Sequence, residues 1–116
     1  MAVINLELDV QYPPRTDDCE IIIEVLAGDG QLGAYSVYLE TDLIDSNRPT
    51  SVGKKAQVLG KRSFVDATVR DTLEETNFTS ILLTVSEGSY VTNFGPYSKE
   101  CPVQFDTVNY SITLIH

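Results

Sequence analysis

A chain of 116 residues is the size of one domain and buries roughly two-thirds of the surface its unfolded form exposes, so a core forms without metal or disulfide. The formal charge of -9, from 8 basic and 17 acidic residues, opposes phosphate-neutralising contact with nucleic acid. No apolar run reaches the roughly 18 residues of a membrane span, so membrane insertion is not expected.

The opening Met1–Glu7 has neither the basic start nor the long apolar centre of a signal peptide. This predicts a soluble, cytoplasmic protein, with export only by a route that needs no such signal. Ile4, Leu6, Leu8, Val10 and Tyr12 then alternate with Asn5, Glu7, Asp9 and Gln11, the period of a strand with one wet face. Tyr12-Pro13-Pro14-Arg15 ends that strand, since proline cannot donate to a ladder. A second strand is expected over about Cys19 to Leu26, with Cys19, Ile21, Ile23 and Val25 on one face.

Residues 28–33 spell Gly28-Asp29-Gly30-Gln31-Leu32-Gly33, a G-x-G-x-x-G. In a dinucleotide site this spacing works only when a helix follows, because the helix N-terminus supplies the N–H groups that hold the pyrophosphate. Here Ala34 to Thr41 follows, with Tyr35, Val37 and Leu39 alternating as in a strand. Protein kinases place the same glycines between two antiparallel strands, but they also need a lysine on the following strand and the H-R-D and D-F-G signatures. Neither signature occurs here, and the next lysine is Lys54. No cofactor is therefore expected. The stretch reads as a hairpin loop whose three glycines supply positive φ and pin the register of strands two and three.

Residues 42–53 form the longest polar stretch and read as a loop. Within and beside it, Glu40, Asp42, Asp45 and Asn47 offer hard oxygen ligands of the kind calcium takes, with Asp17, Asp18 and Asp29 able to join from other loops. The spacing fits no EF-hand, and solvated loop acids are the plainer explanation. Residues 48–62 are the basic segment of an acidic chain, with Arg48, Lys54, Lys55, Lys61 and Arg62 and no acid. They read as a solvated edge or as a partner patch. A short strand is expected from Ala56 to Leu59, closed by Gly60.

Phe64 to Asp71 and Ser80 to Ser86 alternate again. Between them, Thr72 and Glu75 resemble a capping box, the single place for a helical turn. The stretch Tyr90 to Tyr97 holds Tyr90, Phe94 and Tyr97 among small polar residues and a Gly95-Pro96 breaker, so it reads as an aromatic loop suited to protein or glycan contact. Cys101 to Phe105 and Asn109 to Ile115 are expected to close the chain as a hairpin.

Cys19 and Cys101 lack metal or redox spacing, and both are expected reduced and buried. The sole histidine, His116, is expected to fray, which leaves acid–base chemistry without its usual group. Asn77-Phe78-Thr79 and Asn109-Tyr110-Ser111 match the glycosylation sequon by spelling alone.

Seven or eight short strands without a sizeable helix predict an all-β domain over residues 1–116, an immunoglobulin-like or fibronectin-like antiparallel sandwich, with a jelly roll or small barrel as the other solution. The expected function is a non-enzymatic protein-interaction module, a structural or accessory subunit that meets a protein partner or its own copy. The candidate contact residues are Tyr90, Phe94, Tyr97, Lys54, Lys55, Lys61 and Arg62. The alternatives are a small acidic inhibitor or immunity-type protein that neutralises a basic partner, and a calcium-dependent glycan-binding module.

Overall fold

The computed structural model describes residues 3–72 and 77–116. Of the capping box expected at Thr72 and Glu75, Glu75 lies outside the described residues. Among the described residues, nine strands form two sheets packed face to face. The strands are β1 (Val3–Gln11), β2 (Ile21–Ala27), β3 (Gln31–Leu39), β4 (Asp42–Ser46), β5 (Thr50–Gly53), β6 (Arg62–Arg70), β7 (Phe78–Glu87), β8 (Tyr90–Glu100) and β9 (Thr107–Ile115). A one-turn helix, α1 (Lys55–Val58), precedes β6.

The first sheet has the order β1-β9-β6-β3-β4 and the second β5-β2-β7-β8. The all-β sandwich expected from the alternation is therefore present, as two separate sheets rather than a closed barrel. Pairing is antiparallel except between β1 and β9, which run parallel from Val3↔Thr107 to Gln11↔Ile115. Among these strands only β3–β4 and β7–β8 stay within one sheet; the other six connections cross between sheets.

The core follows the period of two. Ile21, Ile23 and Val25 of β2 and Ile81, Leu83 and Val85 of β7 face Val37, Val65, Ile112 and Leu114 of the other sheet, all buried. Burying each such side chain contributes about 1.5–3 kcal/mol. Tyr110 is fully buried, and its hydroxyl bridges the sheets by donating to the Thr79 carbonyl at 3.0 Å beside the Thr79 hydroxyl at 2.8 Å.

Several expectations change. The polar stretch 42–53 is not a loop but contains β4 and β5. Its Leu43, Ile44 and Val52 suit strands, and its polarity reflects edge positions with much of their surface wet. Ala56–Leu59 is not a strand; Lys55–Val58 is a helical turn whose Ala and Gln favour helix, with only Val58 buried. The aromatic loop Tyr90–Tyr97 is part of β8, because Tyr, Val, Thr and Phe favour strands and an edge tolerates proline at a bulge. No closing hairpin forms, since residues 101–106 are irregular and β9 pairs with β1 and β6.

The glycine loop is also corrected. β2 and β3 lie in different sheets, so residues 28–30 are a crossover and set no hairpin register. Gly28 and Gly33 lack positive φ, while Gly30 has φ +86. Gly33 is the extra residue where the β3–β6 register shifts between Leu32 and Ala34. The crossover docks on Ser80 of β7: Gly28 N donates to the Ser80 carbonyl at 3.0 Å, and Asp29 N to its Oγ at 2.8 Å. The Ser80 hydroxyl donates on to Asp29 Oδ2 at 3.1 Å.

At the other end of β7, Glu87 holds the β1–β2 crossover. Its fully buried carboxylate accepts the Tyr12 hydroxyl at 2.9 Å, the Arg15 N–H at 3.0 Å, the Thr16 N–H at 2.7 Å and the Thr16 hydroxyl at 3.0 Å. Burial by itself would push this carboxyl up; the four donors outweigh it and hold it below the usual carboxylate range. Burial, then the bond to Glu87, pushes the Tyr12 phenol up to about 12.

Because the Glu87 value is lowered on folding, its contribution is present above the unfolded value of about 4.3 and is lost as pH falls through the folded value. Glu87→Gln is expected to cost about 3 kcal/mol in urea denaturation at pH 7, since an amide sets its own N–H against backbone donors. The gap between the two proteins should shrink below about pH 4.3; a gap constant with pH would show that the charge is not what matters. A Cβ at Gly30 would stand 2.7 Å from the Arg70 carbonyl, whereas at Gly60, with φ +80, it would meet nothing within 4 Å. Gly30→Val is therefore expected to lower stability by about 3 kcal/mol and Gly60→Ala by about 1, read from urea midpoints. Equal losses would remove the steric part of the argument.

Candidate interaction surfaces

The two outer faces differ in chemistry. On the five-stranded sheet, strand register sets Asn5, Asn109 and Thr68 in one row and Glu7, Ser111 and Asp66 in the next. A third row runs Asp9, Thr113, Phe64, Tyr38 and Leu43, so this face turns apolar toward β4, where Leu43 is exposed. Thr68 Oγ1 donates to Asn109 Oδ1 at 3.1 Å, and Asn109 Nδ2 donates to Asn5 Oδ1 at 3.3 Å. These groups line a shallow polar depression with Asp66 and Ser111.

The outer face of the four-stranded sheet carries apolar side chains. Register places Ile22, Ser86 and Val91 in one row and Leu26 beside Leu82 in another. Ile22 is 37% exposed, Leu26 47% and Val91 63%. Glu24, Thr84 and Asn93 occupy the row between them. The two apolar rows thus flank a polar one, and exposed apolar side chains set among polar groups are the usual composition of a protein contact.

The aromatic candidates divide. Phe94 and Tyr97 turn inward, pack against the core and sit opposite Leu83 and Ile81. Phe94 meets Tyr12 edge-on, with centroids 6.4 Å apart. Tyr90 is exposed, and the Arg15 guanidinium lies over its ring at 5.3 Å. The basic candidates sit around α1 and the start of β6. Lys55 pairs with Asp17 at 3.2 Å, and the Arg62 N–H donates to Glu40 Oε1 at 3.3 Å. Lys54 precedes α1, with its N–H on Gln57 Oε1 at 2.8 Å, and Lys61 follows it. The helix packs by β5, at the opposite edge of the sheet from β8, so Lys54 and Lys55 do not join Phe94 and Tyr97 in one patch.

The calcium candidates fall on the β3–β4 hairpin and the turn after it. Asp45 pairs with Arg48 at 3.5 Å and accepts the Ser46 N–H at 2.8 Å. Asn47 Oδ1 accepts the Tyr35 N–H at 2.9 Å. Asp42 opens β4, and Glu40 has the contact to Arg62 already given. Asp17 is paired with Lys55, Asp29 belongs to the Ser80 dock, and Asp18 is exposed. Among the described residues no group of three or more His, Cys, Asp or Glu is placed to hold a metal ion. Asp71 is fully buried, and among the described residues neither of its carboxylate oxygens has a hydrogen-bond partner.

His116 is not frayed. Its ring spans Tyr12 O at 3.0 Å and Ser63 Oγ at 2.6 Å, and its N–H reaches Lys61 O at 3.2 Å. Burial lowers its pKa against the opposing pull of Tyr12 O and Glu87. Ser63 beside it is completely buried, so this Ser–His contact is a latch inside the fold. The sequence signal for it was absent, because nothing local ties residue 116 to residues 12 and 63.

Both cysteines are free. Cys101 is buried, but Cys19 is only partly so, which corrects the expectation for that residue. They lie near opposite ends of β7. The Cys101 N–H bonds the Asn77 carbonyl, just before Phe78, while Cys19 Sγ lies beside Gly88, just past Glu87, 2.8 Å from where a Cβ there would stand. Comparison with known proteins gives no match among family models, curated proteins or solved structures.

Burial, then Asp71 and Asp106, push the Cys101 thiol up, away from the reactive thiolate. A thiol reagent at neutral pH is expected to modify Cys19 alone in the folded protein and both cysteines in urea. Two thiols reacting at equal rates in the native state would contradict the burial of Cys101.

Proposed function

We propose that this chain is a non-enzymatic protein-interaction module that serves as a structural or accessory subunit of a larger assembly. The apolar outer face formed by Ile22, Leu26, Leu82 and Val91 carries the reading. The outer face of the other sheet is polar over Asn5, Glu7, Asp66, Asn109 and Ser111 and turns apolar toward β4, at Phe64, Tyr38 and Leu43. For architecture, we infer an immunoglobulin-like or fibronectin-like sandwich, supported by the six crossings between sheets. In its departure from that pattern, the β7–β8 hairpin intervenes between the paired strands β6 and β9.

A second reading, a small acidic protein that neutralises a basic partner, draws support from Glu7, Asp9 and Asp66, all exposed on the outer face of the five-stranded sheet. Salt separates the two readings. Apolar docking survives added salt, while charge-led docking weakens with it.

The triple variant Ile22→Ser, Leu26→Ser, Val91→Thr is expected to keep its urea midpoint within about 1 kcal/mol of the parent, because surface changes rarely cost more. It should abolish the concentration-dependent mass increase, or the partner retention, that light scattering reads for the parent. A parent that stays at the 12.8 kDa monomer mass at every concentration, and whose partner retention the variant shares, would overturn the reading.

A further inference from the structure

The four sheet edges are not equally protected. β4 has five residues, with Ile44 extra against β3, and β5 has four, with Val52 extra against β2. β8 contains Pro96 and an extra residue where its register with β7 shifts. Short length, bulges, proline and charged side chains are devices by which proteins blunt an edge. Of these β1 has only the charges of Glu7 and Asp9. Its nine residues, Val-Ile-Asn-Leu-Glu-Leu-Asp-Val-Gln, contain no glycine, proline or lysine and pair with β9 without a register shift. Every second residue of β1 directs its N–H and C=O away from β9.

The side chains along this edge are sorted. Ile4, Leu6, Leu8 and Val10 point inward and are only partly buried. β1 and β8 border the same flank of the sandwich, as the Tyr12–Phe94 contact and the β4–β5 contact at the other flank require. Phe94 and Tyr97 are likewise only partly covered. The flank therefore retains apolar surface that an added strand would bury. On the outer side Glu7 and Asp9 are exposed, with Asp66 two strands away and Arg62 and Arg70 at the two ends of β6. A second copy paired antiparallel about Glu7 would set Glu7 against Glu7 and Asp9 against Asn5, and like charges directly opposite destabilise a sheet. The edge thus disfavours its own copy and favours cations.

We propose that β1 is a docking edge for an extended segment of a protein partner in which apolar residues alternate with lysine or arginine. The segment adds a strand to the five-stranded sheet, its apolar side chains continuing the layer of Leu6 and Leu8 and its cations lying beside Glu7 and Asp9. The inference deepens the interaction reading, but it uses a different surface from Ile22, Leu26 and Val91.

The probe is a labelled seven-residue peptide alternating lysine and valine, tested by fluorescence anisotropy. Controls are the same peptide N-methylated at every residue, which keeps the charges and removes the backbone donors, and a peptide alternating glutamate and valine. The lysine peptide is expected to bind about tenfold or more tighter than either control. Glu7→Lys with Asp9→Lys should reverse the preference toward the glutamate peptide. Amide exchange should slow along β1 when the lysine peptide is bound and stay unchanged along β4, β5 and β8. Equal binding of the methylated peptide, or no added protection along β1, would overturn the proposal. The apolar-face triple variant should bind the lysine peptide as the parent does. A failure confined to the peptide removes the β1 edge and leaves the interaction reading standing, whereas a failure confined to the scattering experiment does the reverse.

Discussion

The sandwich depends on how its crossing connections are satisfied. A chain that changes sheet six times exposes backbone donors at every corner, and a buried donor without an acceptor costs about as much as a lost hydrogen bond or more. Glu87 answers this at one end of β7 by gathering the N–H groups of Arg15 and Thr16 and the hydroxyls of Tyr12 and Thr16. Ser80 answers it near the other end for Gly28 and Asp29. Both connections that flank β2 are therefore tied to β7, the strand that pairs with β2 over its full length. The core supplies most of the favourable energy, but these two side chains decide where the chain turns.

The same arrangement leaves the molecule with two unlike sides. The crossovers are tied at the ends of β7, and the outward side chains of β2, β7 and β8 include Ile22, Leu26, Leu82 and Val91 on either side of the polar row Glu24, Thr84 and Asn93. On the other sheet two outward rows hold Asn, Ser, Thr and acidic residues, with Thr68, Asn109 and Asn5 bonded across strands, and a third runs from Asp9 to Phe64, Tyr38 and Leu43. Apolar rows on one outer face, acidic residues on the other and an edge without proline or bulge are three properties of the molecule, the last two sharing Glu7 and Asp9.

Much of this was legible in the sequence. The strict alternation of Ile4, Leu6, Leu8 and Val10, and of Ile21, Ile23 and Val25, located strands and inward faces because period two is a local property. The pairing of strands was not legible, because it depends on distant residues. An Asp-Gly between two strands reads as a hairpin, and only the partners of β2 and β3 show that it joins two sheets. Edge strands were missed for a related reason. Asp42–Ser46 is polar because it is at a margin, and Tyr90–Tyr97 tolerates Gly95 and Pro96 because one side of β8 has no neighbour. Of the candidate contact residues, Tyr90 lies exposed, while Phe94 and Tyr97 belong to the core flank. The residues that now carry the interaction reading, Ile22, Leu26 and Val91, gave no signal, since a β-branched or leucine side chain in a strand looks the same whichever way it faces. Glu87 was one acid among many until Tyr12 and Thr16 were placed around it.

The parallel pairing of β1 with β9 also has a kinetic meaning. Asn5 and Asn109 are neighbours across that pair yet stand 104 positions apart in the chain. Closing so long a loop carries an entropy cost that the contact repays only after both strands are in place, and such topologies fold slowly. β1 leaves the ribosome before β9 and must wait for it with its inward leucines and isoleucine unpaired. Glu7 and Asp9 set like charges on that waiting strand, which disfavours its pairing with another copy.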